Sequence, residues 1–471
     1  MSPTSKSSLA PGIKPRVHVR TVGCPKNVVD SELMMGAFGA KDYDVVGEAD
    51  DADVLVVNTC GFIGMAREAS VQAILELAKV KEEKENARLV VTGCLSQRFS
   101  DELATSLPEV DLFVGSGSAT QIPEFVGELP EEPDPALREP VLRVGKAGTL
   151  YDPDTPRTST GVGYSTYVKV AEGCSQKCTF CIIPRLRGKA KSRSIESVVG
   201  EVEKLARAGV REFNIIAQDL THYGDDFKDE GLTSLKVLLK CLSRVRGARW
   251  IRLMYCYPHS VDAEFLELMA TEKSIVPYMD IPLQHIDDEV LARMQRRVGE
   301  GDTRELMDAM REKVPGIFLR TTFLVGFPGE TRKHMKNLLE YARDFEFDHA
   351  GAFAFSFEKG TRSARMDQQV PERTARRRAD RLGQVLQESA YQRAISRVGE
   401  IHEAVIEDTG PYEGLYVGRH WGQAPEIDGK TILHWSGEPL LPGTFVRIEL
   451  THVTEVDLEG DVLEILELPA S

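Results

Sequence analysis

The chain has 471 residues, 42% apolar and 28% charged, with a formal net charge of −15. This suits a globular protein of two to four domains, and no run of about 18 apolar residues offers a membrane span. The acidic balance disfavours a protein that grips nucleic-acid phosphates over a broad surface, and eight cysteines in a chain without an apolar signal core point to metal or redox use in a cytoplasmic setting, not to a disulfide framework.

Residues 1–15 are polar and rich in Pro and Ser, and read as a disordered tail. Residues 16–126 repeat a β-loop-α pattern, which predicts a parallel α/β sheet domain. Arg16–Val22 alternates like a strand and leads to Gly23-Cys24. Asp53–Asn58 is a near-continuous apolar run, as a buried parallel strand should be, and leads to Thr59-Cys60-Gly61. Arg88–Val91 leads to Thr92-Gly93-Cys94, and Asp111–Gly115 reads as a fourth strand. Helices are expected over Val28–Phe38 and Ala66–Lys84. Cys24, Cys60 and Cys94 thus each stand just past a strand, and in an open parallel sheet those ends share the ligand-binding edge. They read as a three-thiolate cluster site. The alternative is three small buried residues, since free cysteine is common in cores, although core cysteines would fall inside strands.

Residues 127–163 hold scattered prolines among acids and read as a surface linker. Residues 164–395 alternate strand and helix six times, which predicts a partial (βα)6 barrel with right-handed crossovers. The expected strands are Tyr167–Ala171, Glu212–Ile216, Trp250–Tyr255, Val276–Ile281, Ile317–Val325 and Gly351–Phe355. After the first of them comes Gly173-Cys174-Ser175-Gln176-Lys177-Cys178-Thr179-Phe180-Cys181, with C-x3-C-x2-C spacing. Three thiolates suit a cubane iron–sulfur cluster with one iron free of protein ligands. A zinc staple is the alternative, but structural zinc takes four ligands and no fourth Cys or His lies nearby.

Other strand ends carry polar groups, which the barrel rule marks as candidate ligand contacts. These are Gln218 and Asp219 after the second strand, Gln284 and His285 after the fourth, and Arg320 with Gly326-Phe327-Pro328-Gly329-Glu330 on and after the fifth. Gly326–Gly329 also reads as a plain turn and His285 as a structural histidine. Cys241 and Cys256 lack partner spacing and read as packed residues. Pro371–Arg397 is a basic helical stretch, read as a solvated face or as an RNA-docking surface. From residue 396 to 467, five short strands punctuated by Gly and Pro predict a small antiparallel β-barrel. Residues 396–471 hold four Lys/Arg against fifteen Asp/Glu, a net of −11 that takes most of the chain's −15. Such a domain repels a polyanion and attracts a basic protein.

The C-x3-C-x2-C motif with Phe180 before its last cysteine resembles the radical SAM superfamily, and 164–395 would be its core domain. Ala171-Glu172-Gly173-Cys174, Cys181-Ile182-Ile183-Pro184 and Arg187-Gly188 resemble its methylthiotransferase branch. So do Asn58-Thr59-Cys60-Gly61-Phe62-Ile63 and Thr92-Gly93-Cys94. Gly23-Cys24-Pro25-Lys26-Asn27 is similar to the RimO type, where tRNA-modifying relatives carry Gln-Met-Asn after the cysteine. The C-terminal barrel resembles the OB-like TRAM domain. The resemblance implies two 4Fe-4S clusters, one on Cys174, Cys178 and Cys181 that cleaves S-adenosylmethionine to a 5′-deoxyadenosyl radical, and one on Cys24, Cys60 and Cys94 that delivers sulfur. It implies that Gln218, Asp219, Gln284, His285 and Arg320 frame S-adenosylmethionine and substrate. A second S-adenosylmethionine is implied as methyl donor, with a flavodoxin- or ferredoxin-like external electron donor. The implied substrate is small-subunit ribosomal protein twelve, modified at the β-carbon of an aspartate. Three other readings stay open: a tRNA adenosine methylthiotransferase, a radical SAM enzyme whose first three cysteines are structural, and a non-catalytic zinc-stapled RNA-binding adaptor.

Overall fold

The computed structural model describes residues 14–84, 86–130, 139–228, 232–454 and 457–469. The tail expected over 1–15 lies outside the described residues apart from Lys14 and Pro15. The chain divides into two compact units.

The first unit holds the described residues up to Thr160, with Ala171–Gln176 and Ile182–Arg193. It is built on β1 (Arg16–Thr21), β2 (Asp44–Val45), β3 (Val54–Thr59), β4 (Arg88–Gly93), β5 (Leu112–Val114) and β6 (Val141–Arg143). All pairings are parallel, in the order β2-β1-β3-β4-β5-β6. The apolar run of β3 is buried at every position, because helices cover both faces of the sheet. Leu55, Val57, Leu89 and Val91 pack with Ile74 and Leu77 of helix α2 (Gly64–Glu82). Val54, Val56 and Val90 face the other way, onto Met34 and Phe38 of helix α1 (Pro25–Gly39).

Two features of this unit differ from the expectation. The stretch expected as a linker supplies the edge strand β6, and the segment beyond it docks on α1. There the Glu32 carboxylate, in a residue 2% exposed, accepts from Arg157 Nε and from the Thr160 N–H, each at 2.8 Å, and the Glu32 carbonyl accepts from the Thr158 N–H at 3.0 Å. Also, a third helix, α3 (Cys94–Ser106), opens directly on Cys94.

The second unit holds Gly161–Val170, Lys177–Cys181 and the described residues from Ser194 onward. Its six parallel strands are Ser165–Lys169, Glu212–Ile216, Trp250–Leu253, Ile275–Asp280, Phe318–Val325 and His349–Ala354. They lie side by side in chain order as an open sheet, as a partial barrel requires. After the 25-residue helix Glu372–Ser396, five strands form a closed barrel: Ile401–Thr409, Leu415–His420, Thr431–His434, Phe445–Val453 and Leu458–Glu467. Closure uses one parallel pairing, of Thr431–His434 with Leu458–Glu467, among otherwise antiparallel ones.

A buried ion cluster joins this barrel to the parallel sheet. Glu212 is fully buried, with Arg252 Nη2 at 3.0 Å and Arg419 Nη2 at 2.6 Å. Burial alone would raise the Glu212 carboxyl, but the two guanidinium groups and their hydrogen bonds hold it down, to about 2. Glu212→Gln leaves two buried cations short of a carboxylate, which should cost about 3–5 kcal/mol. Because the folded value lies below the ordinary 4.5, the stabilisation is complete above that value and is lost as pH falls towards 2. Denaturant unfolding at neutral pH should show the deficit, and the gap to wild type should narrow below pH 4.5.

Candidate metal and cofactor sites

The first unit brings Cys24, Cys60 and Cys94 together. They follow β1, β3 and β4, which are neighbours in the sheet, so parallel pairing alone delivers all three to one edge. Their mutual Coulomb interactions close a triangle: Cys60 feels Cys24 and Cys94, and Cys94 feels Cys24. Side-chain hydrogen bonds lock the strand-end loops to one another. Asn27 Nδ2 donates to the Val22 carbonyl at 2.8 Å and the Thr59 carbonyl at 3.1 Å. Asn58 Nδ2 donates to the Asn27 carbonyl at 2.9 Å and to Ser31 Oγ at 3.0 Å. Ser70 Oγ accepts from the Cys60 N–H at 3.0 Å.

Burial pushes the Cys60 thiol up to about 11, and it raises Cys94 against the pull of the Arg187 guanidinium. None of the eight cysteines is in a disulfide. Among the described residues, no three Cys, His, Asp or Glu side chains converge closely enough to share one metal ion. A cubane iron–sulfur cluster takes its thiolate ligands at separate iron corners. Three thiols at one sheet edge are the donor set that such a cluster takes.

The C-x3-C-x2-C motif is held at both ends. In the first unit Cys174 is buried; its N–H donates to the Gly188 carbonyl at 3.1 Å, and its sulfur accepts from the Gln176 N–H at 3.4 Å. Gly173 before it has φ +80°, and a Cβ there would lie 2.4 Å from the Lys189 carbonyl oxygen, so the turn needs glycine. In the second unit Arg296 Nη1 donates to Cys178 Sγ at 3.8 Å, its guanidinium stacked 3.9 Å over the Tyr257 ring. The Thr179 N–H donates to the Met294 carbonyl at 3.0 Å, and Phe180 packs on Val290, Met294, Phe327 and Phe355. The Cys181 N–H donates to the Cys178 carbonyl at 3.2 Å. Tyr257, Met294 and Phe327 all follow strands of the parallel sheet, so the Cys178–Cys181 turn sits at the carboxyl-end face.

The other candidate residues have varied settings. Gln218 and Asp219 follow Glu212–Ile216, both half-buried, and Asp219 pairs with His222 Nδ1 at 2.9 Å. Gln284 takes φ +72°, a strained setting for a non-glycine residue, and its backbone bridges to the Phe318–Val325 strand. His285 is fully buried, its Nδ1 accepting from the Asp287 N–H at 3.0 Å and its Nε2 standing 3.7 Å from Glu330. Burial holds its pKa down to about 3. Glu330 is tied to Arg378 of the basic helix at 2.7 Å. Arg320 turns to Asp428 of the C-terminal barrel at 3.2 Å and to Asp280 at 3.7 Å. Cys241 is half-buried in the helix Leu235–Leu242, and Cys256 is buried. Sequence reasoning missed Arg296 and Tyr257 and carried Asn27 and Arg187 only as parts of motifs; that all four stand at cysteine sites is revealed only by the folded chain.

Comparison with known proteins identifies the family. Residues 16–115 match the model described as uncharacterized protein family UPF0004, 168–342 match the radical SAM superfamily, and 398–463 match the TRAM domain. A ribosomal protein uS12 methylthiotransferase RimO of Syntrophotalea carbinolica is 42% identical, over 96% of this chain and 97% of that protein. The protein of the same name from Geobacter sulfurreducens is 38% identical over 96% and 99%. The chain belongs to the RimO-type methylthiotransferase family. Its fold is also similar to that of the radical S-adenosylmethionine methyltransferase TsrM from Kitasatospora setae, with TM-score 0.56 and 17% identity over 86% of this chain and 81% of that one. In this family member the three matched segments fall on the N-terminal sheet, the partial barrel and the closed C-terminal barrel.

Gly61 offers a test of the three-thiol edge. A Cβ there would stand 2.5 Å from the Cys94 carbonyl oxygen and 2.8 Å from the Leu95 nitrogen, both backbone atoms that cannot rotate away. Gly61→Ala should therefore displace Cys94. Iron analysis of anaerobically purified full-length protein should fall by about half in this variant, as loss of one of two similar clusters requires.

Proposed function

We propose that the chain methylthiolates the β-carbon of an aspartate in ribosomal protein uS12, with Cys174, Cys178 and Cys181 holding one 4Fe-4S cluster and Cys24, Cys60 and Cys94 a second. The observation that carries this reading is near-full-length identity of about 40% with proteins bearing that name. The pairing of two three-cysteine sets supports it from the chemistry. An aspartate β-carbon is unactivated, and no side-chain base of ordinary pKa deprotonates it near neutral pH. Such clusters, with S-adenosylmethionine, supply a carbon-centred radical that takes a hydrogen atom, and the sulfur and methyl group that replace it.

The chain's own residues bind and orient. Arg296 and Tyr257 fix Cys178, and Phe180 anchors its turn in apolar packing. Gln218, Asp219, Gln284, His285 and Arg320 are the strand-end candidates for S-adenosylmethionine and substrate; His285 stands beside Glu330, and Arg320 is paired with Asp428. Electrons come from an external one-electron donor. Among the described residues, no helix is long and apolar enough to cross a membrane.

The C-terminal barrel is suited to a basic protein. Of its few cations, Arg397 and Arg419 are buried in ion pairs with Asp348 and Glu212, and Arg447 is paired with Glu464. With its cations tied in pairs, the barrel keeps the acidic balance of its composition, which steers a basic partner and repels RNA.

Cys178→Ala should abolish formation of 5′-deoxyadenosine from S-adenosylmethionine. Cys60→Ala should leave that cleavage in place and stop methylthiolation of uS12, both read by mass spectrometry of the reaction. Methylthiolated product from the Cys60 variant would refute the two-cluster assignment.

A further inference from the structure

Arg187 is 2% exposed, and every group around its guanidinium belongs to the first unit. Nε donates to Cys94 Sγ at 3.1 Å. Nη2 donates to Asn27 Oδ1 at 2.6 Å, the oxygen that also faces Cys24 Sγ at 4.0 Å. Nη1 donates to Asp30 at 2.6 Å and to both oxygens of Glu172 at 3.4 Å. The backbone is fixed as well: Leu186 and Ile182 pack with Cys94 and Phe62, and Ser116 Oγ donates to the Leu186 carbonyl at 2.8 Å. A guanidinium that served only as a buried ion-pair staple would be satisfied by its two carboxylates. Here a third edge of the fork is aimed at a cysteine sulfur. Charge-assisted N–H donation to a ligand sulfur and a fixed cation in a low-dielectric site are levers that set the potential of an iron–sulfur centre.

We propose that Arg187 is a positioning residue of the Cys24–Cys60–Cys94 site, orienting Cys94 through its Nε–H and raising the reduction potential of the cluster held there. This rests on the reading that these thiols hold a cluster. Glu172 lies two residues before Cys174, so one guanidinium also fastens the strand that leads into the other cysteine motif.

The test uses the full chain carrying Cys174→Ala, Cys178→Ala and Cys181→Ala, so that only the first-unit cluster is present. If this parent binds no iron, the cluster assignment fails, independently of Arg187. In the iron-loaded parent, Arg187→Met is compared with Arg187→Lys and with Arg187→Met/Asp30→Asn by redox titration followed by electron paramagnetic resonance. The double variant keeps the net charge around the site and relieves the buried carboxylate that the single change would strand. Arg187→Met should shift the midpoint to more negative potential. The double variant should fall between it and the parent, and Arg187→Lys should recover part of the shift. Loss of iron from the double variant with an unchanged thermal midpoint also supports a positioning role. Unchanged potentials at full iron content would overturn the proposal, as would iron loss that only tracks a lowered thermal midpoint, which would make Arg187 a structural staple.

Discussion

Parallel pairing of β1, β3 and β4 is the constraint on which the N-terminal chemistry depends. Cys24, Cys60 and Cys94 are spread over seventy residues of chain, yet each follows its strand immediately, and neighbouring parallel strands end at the same edge. No long-range loop has to be closed specifically for the site. The folding of the sheet, driven by burial of both its faces, brings the thiols together. The polar side chains of Asn27, Asn58 and Ser70 then fix the loops at hydrogen-bond distance. An edge built this way tolerates little crowding, because Gly61 lies against the Cys94 backbone with no room for a methyl group.

The second unit solves a different problem, that of holding a β-barrel against the strands of an open sheet. It does so with ionic groups that are mostly taken out of water. Glu212 binds Arg252 and Arg419, Asp428 accepts from Tyr278 and Arg320, and Asp348 binds Arg397. Burying charges in this way is unfavourable unless every partner is placed, so it favours a single arrangement more than it adds stability.

Much of this was legible in the sequence because hydrophobic pattern and strand-end position are local properties. All six strands of the partial barrel lie within a few residues of where alternation and apolar runs put them, the C-terminal barrel has the expected five strands, and the cysteine motifs carried the family. What escaped were features fixed by distant partners. The strand Val141–Arg143 has three residues and no readable period, and only its pairing with β5 makes it a strand. Arg320 reads as a free strand-end cation, but its partner Asp428 stands over a hundred residues away. His285 sits at a strand end yet is fully enclosed beside Glu330. Arg187 is legible as part of the Arg187-Gly188 motif, but its contact with Cys94 spans ninety-three residues.

The most direct measurement is the intact mass of the small-subunit ribosomal proteins from a strain lacking this gene, with bulk tRNA digested in parallel for nucleoside analysis. Loss of one methylthio increment from uS12, with tRNA nucleosides unchanged, is the expected result. An unchanged uS12 together with loss of a methylthiolated adenosine would contradict the assigned substrate, and with it the role given to the acidic C-terminal barrel.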